Sequence, residues 1–276
     1  MQTIYFDTNI YDHIYKNDGI TLSDYTYLNL KIKNNNISIL PSILNIEEIY
    51  SALKYNHVLV VEELKLIKNL AICQKIIKAP LTLLQDDIQC FAEGIPLFPP
   101  FISDSLLIKD INDFLDWPMG KRDFEKVIIE TLEQKKSFQS YLLKAKKDSP
   151  AKIKNNANHL TFKEFLNRYQ LLFSEALAEK TGLLAKCQSR DIGKLLNIKS
   201  IYLYTGVGLS LVYAVEFENR SPKSGDSRDL LHALCACAAD IFVTNDSQFL
   251  RLIKRLPVEN YTIMNINEFL EYLHSI

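Results

Sequence analysis

Surplus charge is the first thing this chain lacks. Its 276 residues carry 32 Lys and Arg against 33 Asp and Glu, a net charge of -1, so nothing global attracts nucleic acid or an anionic membrane, and any polyanion has to be held by a local patch. Cysteine is scarce: the five copies, Cys73, Cys90, Cys187, Cys235 and Cys237, are odd in number and scattered. That excludes a disulfide framework and points to a reducing interior; Cys235-Ala236-Cys237 is too tight for a zinc pair without partners elsewhere. No long apolar run is present either. The most hydrophobic stretch, Ile201 to Val215, falls short of the ~20 residues a spanning helix needs and contains Thr205, Gly206, Gly208 and Ser210, so a buried helix and no membrane partner are expected. Met1-Gln2-Thr3-Ile4 opens no basic-then-apolar leader, and a cytoplasmic location is expected.

What is present is an ordinary globular composition, 47% hydrophobic and 24% charged, in a chain long enough for one large domain or for a domain carrying an insertion. Ile4 to Phe6 is a short apolar strand, and Asp7 to Tyr15 turns into a helix. Ile37-Ser38-Ile39-Leu40 is a second extended run stopped by Pro41; Ser42 then caps a helix over Ile43 to Tyr55, followed by more helix from Val58 to Lys78. Strands separated by helical sequence rather than by two-residue turns predict a parallel α/β sheet. From about Phe91 the pattern changes, with Pro96, Pro99 and Pro100 in quick succession. Between Lys121 and Asn156 ten Lys or Arg stand against five acids, which reads equally as a solvated helical face and as a phosphate-tracking surface. After another amphipathic helix, Leu160 to Leu177, the end of the chain alternates tightly: helix over Asp226 to Ala239, strand Ile241 to Thr244, helix Ser247 to Lys254, strand Tyr261 to Met264, helix Ile266 to Leu273.

Both ends release an aspartate from a short apolar strand, Asp7 in Tyr5-Phe6-Asp7-Thr8-Asn9 and Asp246 in Phe242-Val243-Thr244-Asn245-Asp246. In a parallel sheet the carboxyl ends of the strands face one crevice, so the two carboxylates are expected to share it, and such a pair repels unless it shares a proton or a cation. Asp226 and Asp229 fall in the first turn of the helix after Ser221 to Gly225, where free backbone N–H groups favour negative charge; a helix cap with its reciprocal partner would account for both.

Asp229-Leu230-Leu231-His232-Ala233, the apolar helix, and Asp240-Ile241-Phe242-Val243-Thr244-Asn245-Asp246 with Phe249 are more specific than a capped helix requires. Together with Tyr5 to Asn9 and the closing Ile263 to Leu270, this string resembles the PIN-domain family of metal-dependent ribonucleases. The resemblance implies a small parallel sheet wrapped by helices, with acids binding magnesium or manganese for phosphodiester hydrolysis. It implies Asp7 as first acid, Asp229 as third, Asp246 as fourth, and as second a glutamate in Asn45 to Ile49. There Glu48, with Ile49 after it and Ile46 two before, matches the family's pattern better than Glu47, which is held in reserve. Residues 1–90 and 195–276 are then two halves of one nuclease domain, and 91–194 a mainly helical insertion absent from small family members. Asp226 stands outside the four-acid pattern, with cap, orienter and extra ligand as its readings; Asn9 and Thr244 are polar neighbours able to bond ligand oxygens or metal water. Asp240 precedes its strand and so belongs to the opposite edge, and His232, one turn beyond Asp229, reads as a packed or supporting residue rather than a general base. Implied partners are an RNA substrate and, for the toxin members of the family, a second copy of the chain and a small antitoxin protein.

Two rivals remain. A phosphatase of the haloacid dehalogenase type would use Asp7 as nucleophile and Gly225-Asp226 late in the chain, but its second acid would be Asn9, an amide. The other rival is a non-catalytic scaffold that binds RNA or protein.

Overall fold

The computed structural model describes residues 1–34, 36–51, 56–71, 75–102, 160–257 and 261–276, together with Glu133, Lys136, Ser137, Gln139, Ser140, Leu142 and Leu143. Apart from those seven residues, the basic stretch between Lys121 and Asn156 lies outside the described residues, as do Cys73 and His159.

Four parallel strands build the central sheet in the order β2-β1-β5-β6: β1 (Gln2–Phe6), β2 (Ile37–Ile39), β5 (Ile241–Val243) and β6 (Thr262–Met264). β1 is a central strand covered on both faces, which is why its end reads as a continuous apolar run. Ile4, Tyr5 and Phe6 are all fully buried. Alternation of side chains divides the core between the two faces. Ile4, Phe6, Ile241 and Val243 pack on one side with Ile10, Ile14, Leu64 and Phe269. Tyr5 and Phe242 pack on the other with Val207, Leu230, Phe249 and Ile253. Burying each such side chain contributes about 1.5–3 kcal/mol.

The first face is covered by α1 (Thr8–Lys16), α2 (Leu22–Lys33), α3 (Ile43–Ser51), α4 (His57–Leu70) and the closing helix, Ile266–Ser275. The sequence pattern gave no helix between β1 and β2 beyond Tyr15, yet α2 forms there on a capping box, with the Thr21 and Asp24 side chains each accepting from the other's backbone N–H. The helix expected over Val58 to Lys78 stops at Leu70. Ile76–Ile77 instead forms β3, which pairs antiparallel with β4 (Phe101–Ile102) and bridges to Ser42. Pro80 begins α5 (Pro80–Glu93) and holds Ala79 in extended backbone, so the helical apolar rhythm cannot run through.

The second face carries α6 (Phe162–Lys180), the short α7 (Leu184–Gln188), a 3₁₀ turn at Ile192–Asn197, α8 (Lys199–Phe217), α9 (Asp226–Ala236) and α10 (Ser247–Ile253). The described residues of the 91–194 segment from Leu160 onward are built into this layer, since Phe165 and Leu166 of α6 share a core cluster with Tyr5 and Phe242. Among the described residues α8 is the one helix long and apolar enough to cross a membrane; 67% of its most apolar window is buried inside the protein.

Glu63 of α4 gives the first layer a measurable signature. It is 5% exposed and its carboxyl is pushed up from 4.5 to about 7, by burial first and then by the charge of Asp12 and a hydrogen bond shared with it. The folded chain therefore holds this proton more tightly than the unfolded chain, so the contribution to stability is complete below pH 4.5 and is lost as pH rises through 7. It amounts to at most about 3 kcal/mol. Urea unfolding of Glu63→Gln across that range should give a flatter pH dependence than wild type, with the variant the more stable above pH 7; parallel curves would refute the assignment.

Candidate metal centre

Strand register brings the site together. Phe6 pairs with Val243, so the residues that follow, Asp7 and Thr244, leave the sheet side by side at its carboxyl edge. The Thr244 hydroxyl donates to Asp7 Oδ2 at 2.6 Å, and the Asp7 backbone N–H donates to Val243 O at 2.9 Å. Between β1 and β5 the strand order reverses direction, with β2 to one side and β6 to the other, which is where an open parallel sheet leaves a crevice.

Asp7 is 7% exposed. Asn9 Nδ2 donates to its Oδ2 at 3.1 Å, and Asn9 Oδ1 accepts from the Asn245 backbone at 3.4 Å, holding the two strand exits together. Glu48 arrives from α3 because Ser42 and Asn45 anchor that helix: Asn45 N–H donates to Ser42 Oγ, Ser42 N–H donates to Asn45 Oδ1, and Asn45 Nδ2 donates to Phe6 O at 3.1 Å. Glu48 Oε2 accepts from Thr8 Oγ1 at 2.6 Å. Adjacent helical residues point about 100° apart. Glu47 accordingly turns away, toward Arg228 Nη1 at 3.4 Å.

The third member is His232, from α9, 2% exposed. Its Nε2 lies 2.8 Å from Glu48 Oε2 and 3.2 Å from Asp7 Oδ1, and its Nδ1 lies 2.6 Å from the Tyr5 hydroxyl. Tyr5 in turn is 3.1 Å from Ser42 Oγ, Ser42 donates to Asn45 Oδ1 at 2.9 Å, and Asn45 Nδ2 donates to Thr8 Oγ1 at 3.1 Å. Tyr5, Ser42, Asn45 and Thr8 thus link both ends of the constellation through one buried network, with Tyr5 held by stacking on Phe242. Burial by itself would drive the His232 pKa down, but Asp7 and Glu48 together outweigh it and push it up to about 9. That direction favours Nε2 as a hydrogen-bond donor to the two carboxylates.

Among the described residues, one ligand atom from each of Asp7, Glu48 and His232 lies within 4.8 Å of the others, close enough to grip one ion, and neither Asp229 nor Asp246 belongs to that set. Asp229 is within electrostatic reach of Asp7 and His232. Burial first, then the charges of Asp7 and Asp246, push its carboxyl up to about 8. Asp7 is also raised, by burial first, with Glu48 adding to it while His232 opposes. In both cases burial and neighbouring carboxylates outweigh the positive charge that His232 brings. Asp246 caps α10, its Oδ1 accepting from the Gln248 and Phe249 backbones at 2.8 and 2.9 Å, while its own N–H donates to Thr244 Oγ1.

The chain matches no protein-family model, no curated protein and no solved structure.

Asp226 does not cap α9. The cap position is Gly225, and the 1% exposed Asp226 carboxylate turns back to the loop before it. There Arg220 grips it with two parallel hydrogen bonds of 2.8 and 2.5 Å, and the Lys223 backbone N–H donates at 2.8 Å. Asp240 sits at the other end of β5, accepting from the Thr3 backbone and hydroxyl. Sequence reading gave His232 as a packed or supporting residue, and the structure brings its Nε2 against Asp7 and Glu48; its only sequence signal is its spacing of one turn from Asp229. An apolar cavity of about 970 Å³ lies elsewhere, lined by Phe173, Tyr204, Leu211 and Leu230. On α9 its lining residues are Ser227, Leu230 and Leu231, a helical face distinct from that of Asp229 and His232.

Proposed function

We propose that the chain is a metal-dependent ribonuclease of the PIN kind, with Asp7, Glu48, Asp229 and Asp246 supplying carboxylates to a magnesium or manganese site. The observation that carries this reading is the meeting of Asp7 and Glu48 at the carboxyl edge of a parallel sheet, from separate elements, in a crevice that raises the carboxyls of Asp7 and Asp229. The donor chemistry fits a divalent cation, since carboxylate oxygens are what such ions prefer and the Asp7 and Asp229 carboxyls are raised by burial and by neighbouring carboxylate charge. When bound, the ion supplies an acidified water and charge neutralisation for a phosphodiester.

The protein's own part is orientation. Thr244 and Asn9 fix Asp7 Oδ2, which leaves Oδ1 toward Glu48 and His232. Thr8 fixes Glu48 Oε2. Asp229, in the first turn of α9, adds negative charge where the helix N-terminus tolerates it. Family resemblance extends the proposal to a toxin that forms homodimers and is silenced by an antitoxin protein. The rival phosphatase reading needs an acid at position 9, and Asn9, an amide donating to Asp7, has no proton to give a leaving group.

The test is a manganese-supplemented cleavage assay on a mixed RNA pool, comparing wild type with Asp229→Asn. Cleavage by wild type with a loss of at least about tenfold in the variant is expected, the scale on which disturbed metal sites lose activity. Equal cleavage by both would remove the assignment, and inactivity of both would leave the binding-scaffold reading ahead.

A further inference from the structure

Resting on the metal-site reading above, we infer that His232 is itself a ligand, through Nε2, and that this nitrogen biases the site toward manganese and the later first-row divalent ions over magnesium. Three observations carry it. The first is spacing. Adjacent ligands around an ion with bonds of about 2.1 Å stand about 3 Å apart, and Nε2 is 2.8 Å from Glu48 Oε2 and 3.2 Å from Asp7 Oδ1. The second is enclosure, for His232 is 2% exposed and its ring cannot turn toward solvent without dismantling the core around Tyr5 and Phe242.

The third is the support on the other nitrogen. Imidazoles that bind metals give their remaining N–H to a fixed oxygen, which sets the tautomer and the ring plane. Here that oxygen is the Tyr5 hydroxyl, 2.6 Å from Nδ1 and itself tied to Ser42. The Ser42 hydroxyl donates to Asn45 and so accepts from Tyr5, which leaves the Tyr5 oxygen to accept from Nδ1–H, and Nε2 is then the atom that faces the carboxylates and whose lone pair can be given. Magnesium demands oxygen ligands and near-ideal octahedral geometry, whereas affinity for a nitrogen-containing set rises from manganese through cobalt and nickel. A constellation of carboxylates alone makes that distinction weakly; an added imidazole nitrogen strengthens it.

The experiment is calorimetric titration of the whole protein with MnCl2 and with MgCl2, paired with pulsed electron paramagnetic resonance of the manganese-loaded protein to detect coupling to a directly bound nitrogen. Wild type is expected to bind manganese at least about tenfold more tightly than magnesium and to show the nitrogen coupling. His232→Gln should lose manganese affinity by about 10- to 100-fold, keep magnesium affinity within about threefold, and lose the coupling. Tyr5→Phe, which preserves the ring packing, should keep the coupling while weakening manganese by about tenfold. Manganese-loaded wild type without nitrogen coupling overturns the inference while leaving a carboxylate site standing, and so does a His232→Gln variant that weakens both ions equally. If wild type binds neither ion, the site reading and the inference fall together. The wild-type spectrum decides the matter even if His232→Gln does not fold.

Discussion

Asp7→Asn is expected to abolish manganese-dependent RNA cleavage, by at least about 100-fold, without lowering the stability of the metal-free protein. The rate effect follows from position. Asp7 is the residue on which the other parts converge: Thr244 and Asn9 hold one oxygen, and the other faces His232 beside Glu48. Groups that merely support metal ligands lose 10- to 100-fold when removed, so a ligand at the centre should lose more. The stability effect follows from the raised Asp7 carboxyl, in which burial, the largest influence, outweighs what His232 and Thr244 return. A neutral amide of the same shape escapes that penalty while still accepting from Thr244. Thermal unfolding with and without MnCl2 separates the two effects. Wild type should gain stability from manganese, and the variant should match or exceed wild type in EDTA but gain little from the ion. A variant that unfolds more easily in EDTA would mean that Asp7 is a structural residue, and one that still responds fully to manganese would place the ion elsewhere.

That Asp7 could be placed at a strand exit without coordinates reflects how a buried parallel strand is written. The last three residues of β1 and the whole of β5 are apolar runs because both faces are covered, so the polar residue that follows marks the strand exit, and Asp7 and Thr244 are those markers. The family pattern of apolar neighbours prefers Glu48 to Glu47, and in the structure it is Glu48 that lies beside Asp7 and His232 while Glu47 faces Arg228. The parts that were not legible depend on partners distant in sequence. His232 looks like an ordinary polar break in an apolar helix until Glu48, 184 residues away, is laid against it. Asp226 and Asp229 have the spacing of a cap and its partner, yet Asp226 belongs to Arg220, and no local rhythm distinguishes an arginine on a loop that will fold back from one that will not. Two-residue strands such as β3 carry no periodicity at all; only Pro80 beyond it hinted that the helix had to end.

Arg220→Ala is expected to destabilise the fold by about 3–5 kcal/mol, the scale for removing one partner of a buried ion pair. The loss leaves Asp226, 1% exposed, with a carboxylate whose remaining support is the Lys223 backbone N–H. For a chain of this size each kcal/mol corresponds to roughly 2–4 °C in Tm. The second substitution in the cycle makes the argument specific. Asp226→Asn in the Arg220→Ala background removes the orphaned charge while an amide oxygen can still accept from Lys223, so the double variant should recover much of the loss. The consequence extends to the crevice, because Arg220 is also within electrostatic reach of Asp229 and Asp246. Among the described residues the acids are thus served by three cations of the protein, Arg220 for the α9 and α10 side, the buried Arg228 for Glu47 and Glu48, and His232 for Asp7 and Glu48. Arg220 is bound bidentately and cannot be deprotonated, so it stays in place. His232 can surrender its proton and turn from counter-charge to ligand. If that division of labour holds, Asp226→Asn alone, at a carboxylate committed to Arg220, should leave manganese affinity within about threefold of wild type even as it loosens the fold, the separation expected of distinct roles; a loss of manganese affinity comparable to that of Asp7→Asn would instead make Asp226 part of the ion's own set.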